Sequence, residues 1–190
     1  MTAEQPSLAQ GDDLTADTWG DFVYRLRHDC EGKGIEDHYT SDAIFVVQAK
    51  RLIFGIDLDY TDKKAVICEE SHWLSPAEYW DDLDDDGKAE LLNKAEEEHE
   101  RPFLELDEHW QWDILGELEE HSVVGWDEKW EYVNSHFTKD AAEAFIRHKQ
   151  HDYRDGIRIY VESQYHAWEF NTIKQAILDG RIGLLEQSKQ

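Results

Sequence analysis

Residues 130–148 read WEYVNSHFTKDAAEAFIRH, and this stretch decides the fold class. Its first part, Trp130–Phe137, is rich in aromatic and β-branched residues, which predicts a strand. Thr138 follows at the position of a helix N-cap, and the pattern over Ala141–His148 predicts a helix. The stretch is therefore expected to form a strand that leads directly into a helix.

The chain beyond this stretch repeats the same order. Ile157–Val161 has the composition of a second strand, and Ala167–Leu178 has the pattern of a closing helix. A C-terminal βαβα unit that follows other strands and helices indicates an α+β fold.

The N-terminal part adds a helix and a small sheet to this prediction. Asp17–Cys30 carries an apolar stripe at helical spacing. Ala43–Val47 and Leu52–Ile56 are apolar runs separated by the polar Gln48–Arg51, which predicts a β-hairpin. Ala65–Cys68 predicts a third strand.

The middle of the chain is expected to be helical and acidic. Ser75 followed by Pro76 and Glu78 is typical of a helix start, and a second helix is predicted from Gly87 to Glu100. A third helix is predicted by apolar residues at every fourth position: Leu106, Trp110, Ile114 and Leu118. We expect a single α+β domain over residues 1–190, divisible into 1–74 (helix plus hairpin), 75–121 (acidic helices) and 122–190 (βαβα).

The charge of the chain is large and unevenly placed. The formal net charge is −25, from 44 acidic and 19 basic residues. It is −8 over residues 1–74, −17 over residues 75–131 and zero over residues 132–190. A surface that is acidic only for solubility would not need this asymmetry. With 40% hydrophobic residues the chain is still expected to fold in spite of its self-repulsion.

Charge and cysteine content limit the partners and the location of the protein. The phosphates of DNA would be repelled by this surface, so we expect no direct binding of nucleic acid, and proteins that bind DNA are the expected partners. Cys30 and Cys68 lack the spacing of a zinc or redox motif and are expected to be reduced thiols. No apolar run of membrane-spanning length and no signal-peptide pattern are found, which predicts a cytoplasmic protein without a membrane partner.

Residues 81–93, DDLDDDGKAELLN, resemble a calcium-binding loop. Asp82, Asp84 and Asp86 would occupy ligand positions 1, 3 and 5, with Gly87 at position 6. Position 12 falls on Asn93, which cannot supply the bidentate carboxylate of such a loop. An acidic helix start explains one or two of these aspartates but not five within six residues. We predict no metal site, no catalytic residue and no cofactor.

Carboxylates on helices can imitate rows of phosphates. Side chains three or four residues apart on a helix have Cβ atoms about 5–6 Å apart, and a groove lined by Lys and Arg would accept such a row in place of nucleic acid. We therefore predict that three acidic clusters bind a partner. The predicted phosphate-like groups are Asp81, Asp82, Asp84, Asp85, Asp86, Glu96, Glu97, Glu98, Glu100, Glu117, Glu119 and Glu120.

The C-terminal third also carries a resemblance. Its motifs are Trp130-Glu-Tyr-Val-Asn-x-x-Phe-Thr138, Ala141-Ala-Glu-x-Phe-Ile146, His151, Arg158-Ile-Tyr-Val-Glu-Ser163 and Trp168-Glu-Phe170. In these motifs the chain resembles small acidic phage and prophage accessory proteins, a group that includes anti-CRISPR and anti-restriction inhibitors, several of which mimic DNA. The resemblance implies a setting inside a bacterial host and brings no catalytic residues.

Acidity and resemblance together predict an inhibitor, not an enzyme. The expected partner is a host DNA-binding defence protein, with a CRISPR-Cas effector first, whose DNA site the protein would occupy. A homodimer would extend the charged surface. In the alternative hypothesis the protein is an adaptor or structural phage protein that binds a partner through exposed tryptophans, Trp110 and Trp112 in particular.

Overall fold

A computed structural model of the chain describes residues 5–185. The described chain is of the α+β class, with six α-helices and five strands. The helices are α1 (Ala16–Glu31), α2 (Pro76–Asp82), α3 (Asp85–His99), α4 (Glu108–Gly116), α5 (Lys139–Lys149) and α6 (Trp168–Leu178). The strands are β1 (Ala43–Ile56), β2 (Lys64–Cys68), β3 (Ser71–Trp73), β4 (His121–His136) and β5 (Ile157–Ser163). No helix within residues 5–185 combines the length and the apolar character needed to cross a membrane.

The strands form one sheet in the order β3-β2-β4-β1-β5. The pairs β1/β5, β2/β3 and β2/β4 are antiparallel. The fold divides into two compact units, and the long strands β1 and β4 contribute residues to both. We call Leu52–Lys129 the acidic unit, and the chain up to Arg51 together with the chain from Trp130 onwards the terminal unit. The boundaries of these units differ from the segment limits at residues 74 and 121 that the sequence suggested.

The terminal unit has two apolar clusters. In one, Phe45 and Val47 of β1 are fully buried against Ala142 of α5. In the other, Leu26 of α1 packs on Ile177 of α6. The predicted C-terminal βαβα order is confirmed as β4, α5, β5 and α6.

The acidic unit has a core of its own. Its buried residues come from β2, from the three helices α2–α4 and from the short segment before α4. They are Val66, Tyr79, Leu91, Ala95, Phe103, Leu106, Trp112, Ile114 and Leu115. The helix start at Ser75 is confirmed, since its side chain accepts the Glu78 N–H at 3.1 Å and Pro76 occupies the first turn.

The predicted hairpin over residues 43–56 is wrong, because the structure has one continuous strand there. The linking residues Gln48–Arg51 include no Gly, Pro, Asn, Asp or Ser, the residue types that dominate turns. Their side chains instead continue the alternation of the strand. Ala49 is buried, and Gln48 accepts hydrogen bonds from Arg158 of β5.

Two further element boundaries differ from the prediction. β4 begins at His121, nine residues before the predicted strand, and pairs with β2 over residues 121–125. α4 is shorter than the four-residue repeat suggested. Leu106 and Leu118 lie outside it, and its buried residues are Trp112, Ile114 and Leu115.

Thr138 stands at the N-cap position of α5, as predicted, but its side chain makes no capping hydrogen bond. It accepts a hydrogen bond from Arg25 instead, at 3.0 Å. The carboxylate of Asp29 in α1 accepts the N–H of Lys139, the first residue of α5, at 2.8 Å. The cap of α5 is thus supplied by a residue 110 positions earlier in the sequence.

Candidate functional site

The negative charge of the protein is concentrated in the acidic unit. Its 78 residues include 25 acidic and six basic residues, a net charge of −19, which leaves −6 for the rest of the chain. All twelve acids predicted as phosphate-like groups belong to this unit, and all twelve are exposed. The structure therefore brings the three acidic clusters into one compact body.

The calcium-like stretch forms the end of α2 and the start of α3. The Asp84 carboxylate caps α3 by accepting the Gly87 N–H at 2.8 Å, and Asp85 and Asp86 lie in the first turn of the helix. The Asp82 carboxylate accepts the indole N–H of Trp73 at 3.0 Å. Within residues 5–185 no group of three or more His, Cys, Asp or Glu residues is arranged to hold a metal ion.

Five acids of α3 point away from the core. Leu91 and Ala95 bury one side of the helix. Since successive residues are about 100° apart, three of the acids fall within roughly 40° of arc on the opposite side and extend over about 16 Å of helix. Two more acids lie on the exposed side of the helix as well, at the edge away from these three. The three are Asp86, Glu90 and Glu97, the two are Asp85 and Glu96, and we call these five the outer-face acids.

Glu90 is a candidate partner-binding acid that the sequence prediction missed. In the sequence it stands apart from the runs of consecutive acids and fits only the ninth position of a calcium loop. In the structure it is exposed and lies four residues after Asp86, which places the two side chains one turn apart. Acids at helical spacing, instead of consecutive acids, are the signal that identifies it.

Lys94 joins the acids of α3 to those before β4. Its Nζ atom lies 3.1 Å from the Glu117 carboxylate and 3.5 Å from the Glu98 carboxylate. Burial lowers the pKa of Lys94, but the hydrogen bond to Glu117 and the nearby carboxylates outweigh it and raise the pKa above its usual value. This lysine is therefore fully charged at neutral pH and holds the two clusters side by side.

A depression of about 450 Å³ lies between the same two clusters. Glu90 of α3 lines one side of it, and Glu119 and Glu120 line another. His121 and Tyr79 also contribute, and the Tyr79 hydroxyl and the Nε2 atom of His121 are 3.0 Å apart. Glu90, which the sequence prediction missed, and two acids of the predicted cluster before β4 thus converge on one part of the surface.

Other predicted acids lie elsewhere in the unit. Asp81 and Asp82 border a separate depression with His72, Trp73 and Glu78. Glu100 follows the last turn of α3 as its C-cap. The twelve acids are therefore not one continuous row.

Three glutamates of the acidic unit occupy backbone conformations that favour glycine. Glu69, Glu100 and Glu120 have φ angles of 53°, 56° and 62°, and they are the non-glycine residues with positive φ among the described residues of this unit. Glutamate is not one of the residue types that adopt this conformation readily, and the cost is about 1–2 kcal/mol per residue. Acidic side chains are present at these positions in spite of that cost, which suggests a use for their charge.

Replacing Glu100 or Glu120 with glycine is expected to stabilise the protein. Each change relieves the positive-φ strain, partly offset by the greater freedom of glycine in the unfolded chain, so the free energy of unfolding should rise by about 0.5–1 kcal/mol. Glu119→Gly is the matched control, because it removes the same charge at a residue without positive φ. Chemical denaturation would measure all three. An equal gain from Glu119→Gly would show that strain is not the cause.

The charge density of the acidic unit is similar to that of duplex DNA. A duplex carries one charge per about 1.7 Å of its axis, so 19 charges correspond to about 32 Å. A compact unit of 78 residues has a radius of gyration of about 11–12 Å and is about 30 Å across. The unit thus carries close to the charge of a DNA duplex as long as the unit is wide.

The alternative hypothesis requires Trp110 and Trp112 to be exposed, and the structure exposes Trp110 but not Trp112. Trp112 is only 5% exposed and belongs to the core of the acidic unit, so it cannot serve as an exposed anchor. Trp110 is 44% exposed and contacts the rings of His99 and His109, with centroid distances of 4.8 and 5.0 Å. Trp168 of the terminal unit is 74% exposed. The sequence pattern predicts that Trp168 lies in a helix, but it does not predict that the side chain is on the surface.

Neither the sequence nor the fold matches a known protein family, a curated protein or a solved structure.

Proposed function

We propose that the acidic unit inhibits a DNA-binding protein by occupying the surface on which that protein holds DNA. One observation carries the proposal. Of the twelve exposed acids, eight make no ion pair or side-chain hydrogen bond with another part of the described chain. They are Asp81, Asp85, Asp86, Glu96, Glu97, Glu100, Glu119 and Glu120.

Unpaired carboxylates retain their full capacity to accept charge-assisted hydrogen bonds. Basic side chains that contact phosphate in a DNA-binding groove would meet carboxylate oxygens, which are negatively charged acceptors like those of phosphate. Arg binds carboxylate and phosphate with the same bidentate geometry. The binding energy would come from many weak contacts, so no single acid should be decisive. Association should be fast at low salt and weaken as salt is added.

We base the proposed target class on the resemblance to phage accessory proteins that the sequence motifs of the C-terminal third predict. We propose a nucleic-acid-binding defence complex of a bacterial host, with CRISPR-Cas effectors first and restriction enzymes second. Blocking the DNA site of such a complex needs no catalysis and no cofactor from this chain.

Trp110 supports a second candidate function, an adaptor that binds a protein partner. Its side chain is 44% exposed and contacts two histidine rings, and exposed aromatic side chains of this kind are typical interface anchors. Such binding would depend on apolar burial and would be insensitive to salt.

Capture of purified defence complexes by the immobilised protein would distinguish the two functions. The panel contains CRISPR-Cas effector complexes and restriction enzymes, each tested with and without competing duplex DNA, at about 0.1 M and about 0.5 M salt. We expect capture of at least one complex, reduced at least tenfold by the DNA and by the higher salt. Capture that resists both would favour the adaptor, and no capture from the panel would contradict the proposed target class.

A further inference from the structure

The strand β5 forms one edge of the sheet and is open on its outer side. β5 pairs with β1 from Ala43↔Ser163 to Ala49↔Ile157 without interruption. The bonds from Lys50 N to Gly156 O and from Gln164 N to Asp42 O fix the phase of this ladder. Even-numbered residues of β5 bond to β1, and odd-numbered ones direct their N–H and C=O groups outward.

The outward backbone groups have no partner in the described chain. They belong to Ile157, Ile159, Val161 and Ser163, and no other element within residues 5–185 hydrogen-bonds to them. Natural proteins protect such edges with short strands, Pro, bulges or charged side chains, Lys above all. The opposite edge, β3, is only three residues long, whereas β5 has seven residues without Pro, Gly or Lys.

The sequence of β5 is complementary to itself. In an antiparallel pair of two copies centred on Tyr160, all seven residues pair, and Arg158 of each copy lies directly opposite Glu162 of the other. A register centred on Arg158 or on Glu162 would place like charges opposite each other and leave residues unpaired. Registers centred on Ile159 or Val161 would leave residues unpaired and place neither charge opposite its counterpart, so the register centred on Tyr160 is the one that opposes unlike charges and uses the whole strand.

The hydrogen-bonding phase agrees with this register. Ile159 would face Val161 of the second copy, and Ile157 would face Ser163, so all the outward backbone groups would be matched. Arg158, Tyr160 and Glu162 would form the pairs without hydrogen bonds, in which side chains approach most closely. Tyr160 is 49% exposed and would meet its counterpart at the centre.

The side chains around this edge are suited to an interface. The Arg158 guanidinium stacks on Trp130 at 4.0 Å from the ring centroid and donates to the Gln48 side chain at 2.9 and 3.0 Å. These contacts lie on the inner side of β5, so the guanidinium turns outward in the dimer to reach Glu162 of the second copy, with three N–H groups that Gln48 does not use. Ile157, Ile159 and Val161 are only partly buried, so a second strand would cover apolar surface as well.

We propose that the protein forms a two-fold symmetric dimer through antiparallel pairing of β5 with β5 of a second copy. The strand lies within residues 132–190, where acidic and basic residues are equal in number, so this is the part of the chain with the least self-repulsion. Because both copies are strongly acidic as a whole, added salt should strengthen the dimer. The proposed binding to a DNA site should weaken with salt, so the failure of one proposal can be told from the failure of the other.

Sedimentation equilibrium of the whole protein tests the dimer. The chain has a mass of 22.4 kDa, and the wild type should shift towards twice that mass as its concentration and the salt rise. Arg158→Glu and Glu162→Arg each place like charges opposite one another and should weaken self-association at least tenfold. A 1:1 mixture of the two variants should regain it, because each introduced side chain then faces an opposite charge.

The mixture separates pairing in this register from damage to the fold, since a misfolded variant would not be rescued by another. Glu169→Arg is the control, because it changes the charge of an exposed residue outside the strand. It should leave the dimer intact. A wild type that is monomeric at all concentrations, or variants that neither weaken the dimer alone nor restore it when mixed, would overturn the proposal.

Discussion

Replacing the five outer-face acids of α3 with their amides should weaken the captured complex about 100-fold or more. The variant combines Asp85→Asn, Asp86→Asn, Glu90→Gln, Glu96→Gln and Glu97→Gln. Each exposed contact contributes about 0.5–1 kcal/mol, so five together account for about 2.5–5 kcal/mol of binding free energy. Partial variants should lose affinity in steps, because the energy is shared among the acids.

The structure makes this variant a fair test of charge. Amides preserve the size of each side chain, and none of the five carboxylates makes an ion pair or side-chain hydrogen bond within residues 5–185. Asp84 is left unchanged, since its carboxylate caps the helix. Replacing two acids in the first turn of α3 removes a favourable interaction with the helix dipole, but it also reduces repulsion among the acids of the helix. The free energy of unfolding should therefore stay within about 1 kcal/mol of the wild-type value.

The control variant replaces five exposed acids of the terminal unit with their amides. Its net charge therefore changes by the same amount as that of the variant in α3. If the acidic unit alone binds the target, the control retains affinity within about threefold at the salt concentration used. Equal losses in both variants would mean that total charge, not the acidic unit, determines binding. The control residues are Asp13, Glu36, Asp140, Asp155 and Glu169.

Trp112→Ala should destabilise the protein by about 3–5 kcal/mol, because it removes a large aromatic side chain from a closed core. That side chain lies in the core of the acidic unit among residues of α2, α3 and α4, and its indole N–H donates to the Glu108 carboxylate at 3.1 Å. Truncation leaves a cavity in this core, whereas water can replace the indole at the exposed Glu108 carboxylate. Thermal unfolding should begin about 6–20 °C lower.

Trp110→Ala is the matched comparison, on the same helix and two residues away. With 44% exposure its removal should cost no more than about 1 kcal/mol. Under the proposed inhibition it should also leave capture unchanged. A loss of capture by Trp110→Ala in a protein of normal stability would support the adaptor, and a loss by Trp112→Ala would only report unfolding of the site.

Local patterns predict most elements of the fold correctly, and non-local pairing explains the failures. The cap at Ser75 and the strand at Ile157 depend on neighbouring residues, so the sequence contains the needed information. The polar Gln48–Arg51 suggests a break in β1, but polar residues mark a turn only when they can adopt turn geometry. The pairing of Gln48 with Arg158 that sustains the strand joins residues 110 positions apart.

The composition of the candidate site could be predicted from the sequence, but its arrangement could not. Runs of acids identify exposed residues reliably because burying a carboxylate is costly. Which clusters lie together depends on tertiary contacts such as Lys94 between Glu98 and Glu117. The positive φ of Glu69, Glu100 and Glu120 has no sequence signal either, since glutamate gives no hint of that conformation.

The division of the chain into units has a consequence for synthesis on the ribosome. The acidic unit lies between two parts of the terminal unit in the sequence. β1 is therefore synthesised about 110 residues before β5, the strand with which it pairs. During that interval an apolar strand is unprotected, which is the condition under which nascent chains aggregate. The acidic unit emerges in the same interval and adds a net charge of −19 to each growing chain. Neighbouring nascent chains would then repel one another until the last strand arrives.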